Sequence, residues 1–158
     1  ELGAAMELAF ENDVKLTVER GLVGREVECA VLSARNFAAP RVSVAGEIVV
    51  TGREFYDFEA KYLDGGAELK VPTQLSDSEL SQMHALAIKA FRALGCSGLA
   101  RTDFFLTETG FVLTEVNTMP GFTPISMYPS LFAASGISYS ELVETLIQTG
   151  FARGTDPR

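Results

Sequence analysis

Two runs hold the residues with the most chemistry in them. One is Gly98-Leu-Ala-Arg101-Thr-Asp103; the other is Glu115-Val-Asn117-Thr-Met-Pro-Gly121. Between them lie Phe-Phe-Leu-Thr, then Glu-Thr-Gly, then Phe-Val-Leu-Thr. Two strand-like halves around a short turn ending in glycine form the pattern of a hairpin. Side chains alternate faces along a strand, so Arg101 and Asp103 share a face, as do Glu115 and Asn117. A three-residue turn at 108–110 pairs Asp103 with Glu115 and Arg101 with Asn117. A turn one residue shorter or longer would put these pairs on opposite faces. Carboxylates directly opposite each other repel, and Phe104, Phe105, Leu113 and Val116 predict a largely buried hairpin. Such a pair needs a counter-charge. Either Arg101 supplies it within an ion-pair network, or a hard cation bridges the carboxylates. Asp, Glu and Asn oxygens without His or Cys suit Mg²⁺ or Mn²⁺ rather than zinc. Magnesium commonly shares its shell with substrate phosphates, so a nucleotide is the simplest ligand.

The other candidates are single residues. His84, the sole histidine, falls in a predicted helix, an unpromising place for a catalytic base, and reads as a surface or core residue. Cys29 and Cys96 read as small packing residues. Backbone N–H groups around Gly121 and Ser126, between a strand and a helix, suit an anion. Lys61 could reach a phosphate or simply be solvated. Glu19 and Glu26 flank a turn and could likewise be solvated charges.

The elements that must position these residues read as α+β. Leu2, Ala5, Met6 and Phe10 give one apolar face and predict a helix over 1–12. Alternation predicts strands at 14–20, 26–32 and 41–50, the last interrupted at Gly46, as an antiparallel meander. Residues 51–70 are charged, aromatic and aperiodic. They read as a long loop that either folds over a ligand or packs on its own aromatics. Ser76 and Glu79 form a capping box before a helix with Leu80, Met83, Ala87, Ala90, Phe91 and Leu94 on one face. Strands at 97–107 and 111–117 follow, then a loop over 118–127, a short helix over 128–135 and, after the Ser138 and Glu141 box, a final helix. No internal repeat is visible.

The composition limits the classes. The chain has 158 residues, 47% of them hydrophobic and 22% charged, which is too apolar for a disordered chain. Thirteen Lys and Arg against 21 Asp and Glu give a net charge of −8, which argues against a nucleic-acid surface. No apolar run approaches the roughly 18 residues of a membrane span. No basic leader is visible, and two cysteines without metal-ligand spacing suit a reducing, cytoplasmic compartment. The chain opens on Glu1 and runs straight into a helical pattern, which reads as the middle of something longer.

Three motifs in order, Phe55-Tyr-Asp-Phe-Glu-Ala-Lys61-Tyr62, Gly98 to Asp103, and Glu115-Val-Asn117-Thr-Met-Pro-Gly121-Phe-Thr-Pro-Ile-Ser126, resemble the D-alanine–D-alanine ligase family. The resemblance covers nearly the whole chain. It implies the C-terminal catalytic part of an ATP-grasp fold, with the N-terminal substrate domain and the first ATP-grasp lobe absent from this chain. It also implies a long mobile loop at 51–70 and ligation of two D-alanines through an acyl phosphate, with ATP and two Mg²⁺ or Mn²⁺ ions. The metal ligands it implies are Asp103, Glu115 and Asn117. Arg101 and the Gly121 N–H would stabilise the oxyanion, and Tyr62, an aromatic of the mobile loop that closes the site, would be a further catalytic residue. Ser126, Met127 and Tyr56 would contact substrate. Glu19, Arg20, Leu22, Glu26 and Lys61 would hold ATP. The family further implies a cytoplasmic homodimer, with no membrane or nucleic-acid partner. Alternatives are a D-alanine–D-lactate ligase, another carboxylate–amine ligase of this fold, or a non-catalytic nucleotide- or metal-binding module. The loop around Tyr56 looks like the dipeptide-forming type.

Overall fold

The computed structural model describes residues 1–33, 39–50, 67–123 and 125–153. Its elements are α1 (Leu2–Phe10), β1 (Arg25–Leu32), β2 (Arg41–Val50), β3 (Ala67–Lys70), α2 (Asp77–Ala93), β4 (Leu99–Thr107), β5 (Gly110–Asn117), α3 (Met127–Ala134) and α4 (Tyr139–Arg153). The five strands form one antiparallel sheet in the order β3-β2-β1-β4-β5. This is the expected α+β architecture.

Central strand β1 is buried from Val27 onward because both sheet faces are covered there. Val27, Cys29 and Val31 point to one face and pack with Ala45, Ala100 and Phe104 under Met83, Ala87 and Phe91 of α2. Helix α2 starts at a complete capping box, with Glu79 N–H donating to Ser76 Oγ and Ser76 N–H donating back to Glu79. Leu94, expected on its apolar face, caps the helix and is 65% exposed. On the other face, Ala30 and Leu32 pack under Tyr128, Leu131 and Phe132 of α3 and Leu142 of α4. Tyr128 is fully buried, and its hydroxyl donates to Val31 O at 3.0 Å. Gly46 does not interrupt β2. A Cβ there would meet Leu131 Cδ2 and Met127 Sδ at 3.0 Å, so glycine lets α3 lie close to the sheet.

Four further expectations need correction. Residues 14–20 form no strand: a strand needs a hydrogen-bonded neighbour, and this segment is not among the five strands of the sheet. Residues 67–70, expected in the loop, are strand β3, paired through Glu47↔Lys70 and Val50↔Ala67; residues 51–66 lie outside the described residues. The hairpin is not largely buried, because β5 is the sheet edge and its middle is exposed. Finally, its turn has two residues, not three. Thr107 pairs with Gly110, whose φ of +115° suits glycine, and the register then runs Leu106↔Phe111, Phe105↔Val112, Phe104↔Leu113. That register alone would give Asp103 the wrong partner. A bulge at Thr114 absorbs one residue, and the pairs Asp103↔Glu115 and Arg101↔Asn117 form after all. The Thr114 hydroxyl donates to Asp103 O at 3.0 Å.

Candidate active site

The face of the sheet that carries α3 and α4 is apolar at one end and acidic at the other. Alternation from Ala30 brings Glu28 and Glu26 to that face on β1, and alternation from Asp103 brings Arg101 and Phe105 there on β4. These residues, with Ile48, Thr114 and Glu115, line a cleft of about 240 Å³. Glu28 sits opposite Asp103 across β1 and β4, and opposite Gly46 across β1 and β2. Its side chain is 3% exposed.

Arg101 joins two carboxylates. Its Nε lies 2.5 Å from Glu28 Oε2 and donates to Asp103 Oδ1 at 2.8 Å, while Nη2 donates to Asp103 Oδ2 at 2.7 Å. The fork to Asp103 is bidentate, the strongest geometry for such a pair. The Asp103 hydrogen bonds, reinforced by the charges of Glu28, Asp103 and Glu115, raise the Arg101 pKa above its usual value against the cost of burial. Burial, and secondarily Asp103, raises the pKa of Glu26. Glu26, Glu28, Asp103 and Glu115 set four carboxylates against one guanidinium, a formal charge of −3 in a recess. Partly buried negative charge of that size calls for cations.

Asn117 ends β5 with its Oδ1 accepting from Met119 N–H at 3.0 Å. Gly121 and Ser126 are brought together: a Cβ on Gly121 would lie 3.0 Å from Ser126 Oγ. Ser126 is the N-terminal cap residue of α3, and its Oγ accepts from Thr123 N–H at 3.0 Å. The Met127 side chain is 6% exposed and packs in the core. A second cleft, of about 360 Å³, lies between Arg20–Val23 and Thr107–Thr109 with Val112. Arg20 and Leu22 line it; Glu26 lines the first cleft, and Glu19 lines neither. Gly24 holds this segment against β4, since a Cβ there would overlap the Leu106 carbonyl and lie 2.9 Å from its carbon. Lys61, Tyr56 and Tyr62 lie outside the described residues.

A family model described as "D-ala D-ala ligase C-terminus" matches residues 1–148. The chain belongs to the D-alanine–D-alanine ligase C-terminal family. A D-alanine–D-alanine ligase of Mycolicibacterium vanbaalenii is 53% identical over 99% of this chain and 44% of its own length. The chain thus spans less than half the length of that relative. Among solved structures, a D-Ala:D-Ser ligase from Enterococcus faecalis matches with a TM-score of 0.80 and 37% identity, over 94% of this chain and 42% of that one. A Bacillus anthracis D-alanine–D-alanine ligase complexed with ATP matches at 0.76 and 28%, over 94% and 46%. The ATP-grasp expectation for the fold is therefore met.

For a member of the D-alanine–D-alanine ligase family, the donor chemistry around Asp103 fits a hard divalent cation. Among the described residues, no cluster of three or more His, Cys, Asp or Glu side chains is placed to hold a metal; a set built on Asp103 and Glu115 would draw a further oxygen from Asn117, the cross-strand partner of Arg101. Cross-strand partners bring Asp103 and Glu115 side by side, and the carboxylate oxygens that Arg101 engages keep further lone pairs. Sequence reasoning missed Glu28. The available signal was its two-residue spacing from Glu26, which puts both on one face of a strand. His84 is structural, its Nε2 2.9 Å from Ser43 O. Cys29 is buried and its thiol is pushed up to about 12 by that burial, which leaves it inert as a nucleophile. No helix among the described residues is long and apolar enough to cross a membrane.

Proposed function

We propose that the protein carrying this chain is an ATP-dependent ligase that joins two D-alanines into D-alanyl-D-alanine. The observation that carries the reading is Arg101, locked between Glu28 and Asp103 in a recess of net negative charge. This guanidinium, the cation that lines the recess among the described residues, is suited to developing negative charge on a reacting carboxyl group. Family membership supports the same reading.

In this reading the carboxylate of the first D-alanine attacks the γ-phosphorus of ATP, giving an acyl phosphate and ADP. The amine of the second D-alanine then attacks the acyl carbon, and phosphate leaves from a tetrahedral intermediate. Asp103, Glu115 and Asn117 would hold Mg²⁺ or Mn²⁺, two ions by family likeness, whose chemistry is to neutralise charge on the transferring phosphoryl group. Arg101 and the Gly121 N–H face the oxyanion. Ser126 Oγ and the backbone N–H of Met127, at the start of α3, receive the carboxylate of the second substrate. Arg20 and Leu22 border the nucleotide base in the second cleft, with Glu19 adjacent in sequence and Glu26 reaching toward the ribose. Lys61, Tyr56 and Tyr62 are assigned by family likeness alone, Lys61 to the terminal phosphate. The same likeness assigns the upstream substrate domain and first lobe, and a cytoplasmic homodimer, to the full-length protein.

The test is to incubate the full-length protein with ATP, Mg²⁺ and D-alanine, and then with D-alanine plus D-serine or D-lactate. D-alanyl-D-alanine formed with one phosphate released per bond is expected. Formation of the mixed dipeptide or the ester alone would overturn the assigned second substrate. Phosphate release indifferent to D-alanine would overturn the ligase reading.

A further inference from the structure

Resting on that reading, we propose that Glu28 is a positioning residue that keeps Arg101 in place when a divalent cation takes up Asp103. The argument begins with a conflict. Asp103 holds Arg101 through both carboxylate oxygens, at 2.8 and 2.7 Å. The same carboxylate is the proposed cation ligand. A dipositive ion competes with a guanidinium for the lone pairs of one carboxylate. Held by Asp103 alone, Arg101 would loosen on metal binding, at the moment when its charge is needed. Glu28 resolves the conflict by position. It approaches Arg101 Nε at 2.5 Å from the neighbouring strand. Its side chain is 3% exposed, against 22% for Asp103. Asp103 is therefore open to an incoming ion, while Glu28 stays with the arginine.

The remaining strand neighbour supports the assignment. On the β2 side Glu28 is paired with Gly46, whose position is filled by Leu131 and Met127 of α3. A buried carboxylate beside that apolar packing is costly unless a cation accompanies it. Side chains that orient a ligating group typically change metal affinity or activity roughly 10- to 100-fold when altered.

The test compares full-length wild type, Glu28→Gln and Glu28→Asp. Mn²⁺ binding is read by electron paramagnetic resonance without substrates, and kcat and KM are read separately. Glu28→Gln leaves Arg101 wholly dependent on Asp103, so Mn²⁺ binding should weaken roughly 10-fold and kcat should fall by a similar factor, with KM for ATP within about twofold. Glu28→Asp keeps the charge, so its Mn²⁺ affinity should lie nearer to wild type. Folded Glu28→Gln with wild-type Mn²⁺ affinity and kcat would overturn the proposal. Should Glu28→Gln not fold, Glu28→Asp decides: its carboxylate is kept but set back from Arg101, so Mn²⁺ affinity and kcat between the wild-type values and a roughly 10-fold loss are expected, and values of both equal to wild type would overturn it. Wild type that binds Mn²⁺ but does not ligate D-alanine would fail the functional reading, while the Mn²⁺ comparison would still judge Glu28.

Discussion

Replacing Arg101 by methionine should destabilise the fold as well as abolish ligation, and a second change should restore the fold alone. In the wild type the guanidinium accompanies a glutamate side chain that is 3% exposed and is itself 17% exposed. Removing one partner of a buried ion pair typically costs about 3–5 kcal/mol, because the other charge stays in the low-dielectric site. Water reaches Asp103, 22% exposed, so most of the cost falls on Glu28 and the low end, about 3 kcal/mol, applies. For a domain of this size that lowers Tm by about 6–12 °C. Glu28→Leu added to Arg101→Met removes the stranded charge and fills the space against Leu131 and Met127. It should regain most of the loss, since apolar replacement of a whole buried pair is often neutral or better. Thermal and urea melts of wild type, both single variants and the double variant complete the cycle. A loss under about 1 kcal/mol in Arg101→Met, or a double variant no more stable than Arg101→Met, would refute the claim that this pair is buried and coupled.

Three further outcomes are expected. Gly24→Ala drives a Cβ into the Leu106 backbone, which cannot rotate away, so the segment carrying Arg20 and Leu22 must shift; KM for ATP should rise several-fold while KM for D-alanine holds, and unchanged ATP kinetics would contradict the placement. Glu47 is held at about 2, chiefly by its hydrogen bond with Arg25, below its ordinary 4.5. That contribution is present above pH 4.5 and is lost as pH falls through about 2. The stability gap between wild type and Glu47→Gln, about 1–2 kcal/mol after screening at the half-exposed Arg25, should therefore close across that window in pH-dependent melts. Tyr128→Phe removes the buried hydroxyl's hydrogen bond to Val31 O and should cost about 1 kcal/mol in urea unfolding, with ligation unchanged at temperatures where the fold is intact.

Much of the fold was legible because its signals are local. The capping box at Ser76 and Glu79 opens α2, and the alternation at Arg101 and Asp103 places both on one face. Residues 14–20 show the limit. Their alternation is as good as that of β1, but a strand also needs a neighbour, and sequence pattern does not supply one. The hairpin was right at its functional end for an incomplete reason. Nothing in the spacing separates a three-residue turn from a two-residue turn plus a bulge, since both leave Asp103 opposite Glu115. Glu28 escaped notice because its role comes from β4, more than seventy residues further along the chain. Arg101 was read with its hairpin partners, whereas its tightest contact lies on the other side, across β1.

The bulge at Thr114 makes the two ends of the hairpin independent of each other. Turn geometry near Gly110 and carboxylate placement at Glu115 would otherwise be rigidly geared, one residue of length at one end inverting everything at the other. With one residue held out of the ladder, length becomes exchangeable: a residue gained in the turn and one lost at position 114 cancel. Homologous chains can thus differ in the outer loop of this hairpin, even in residue count, while the acidic recess keeps its arrangement.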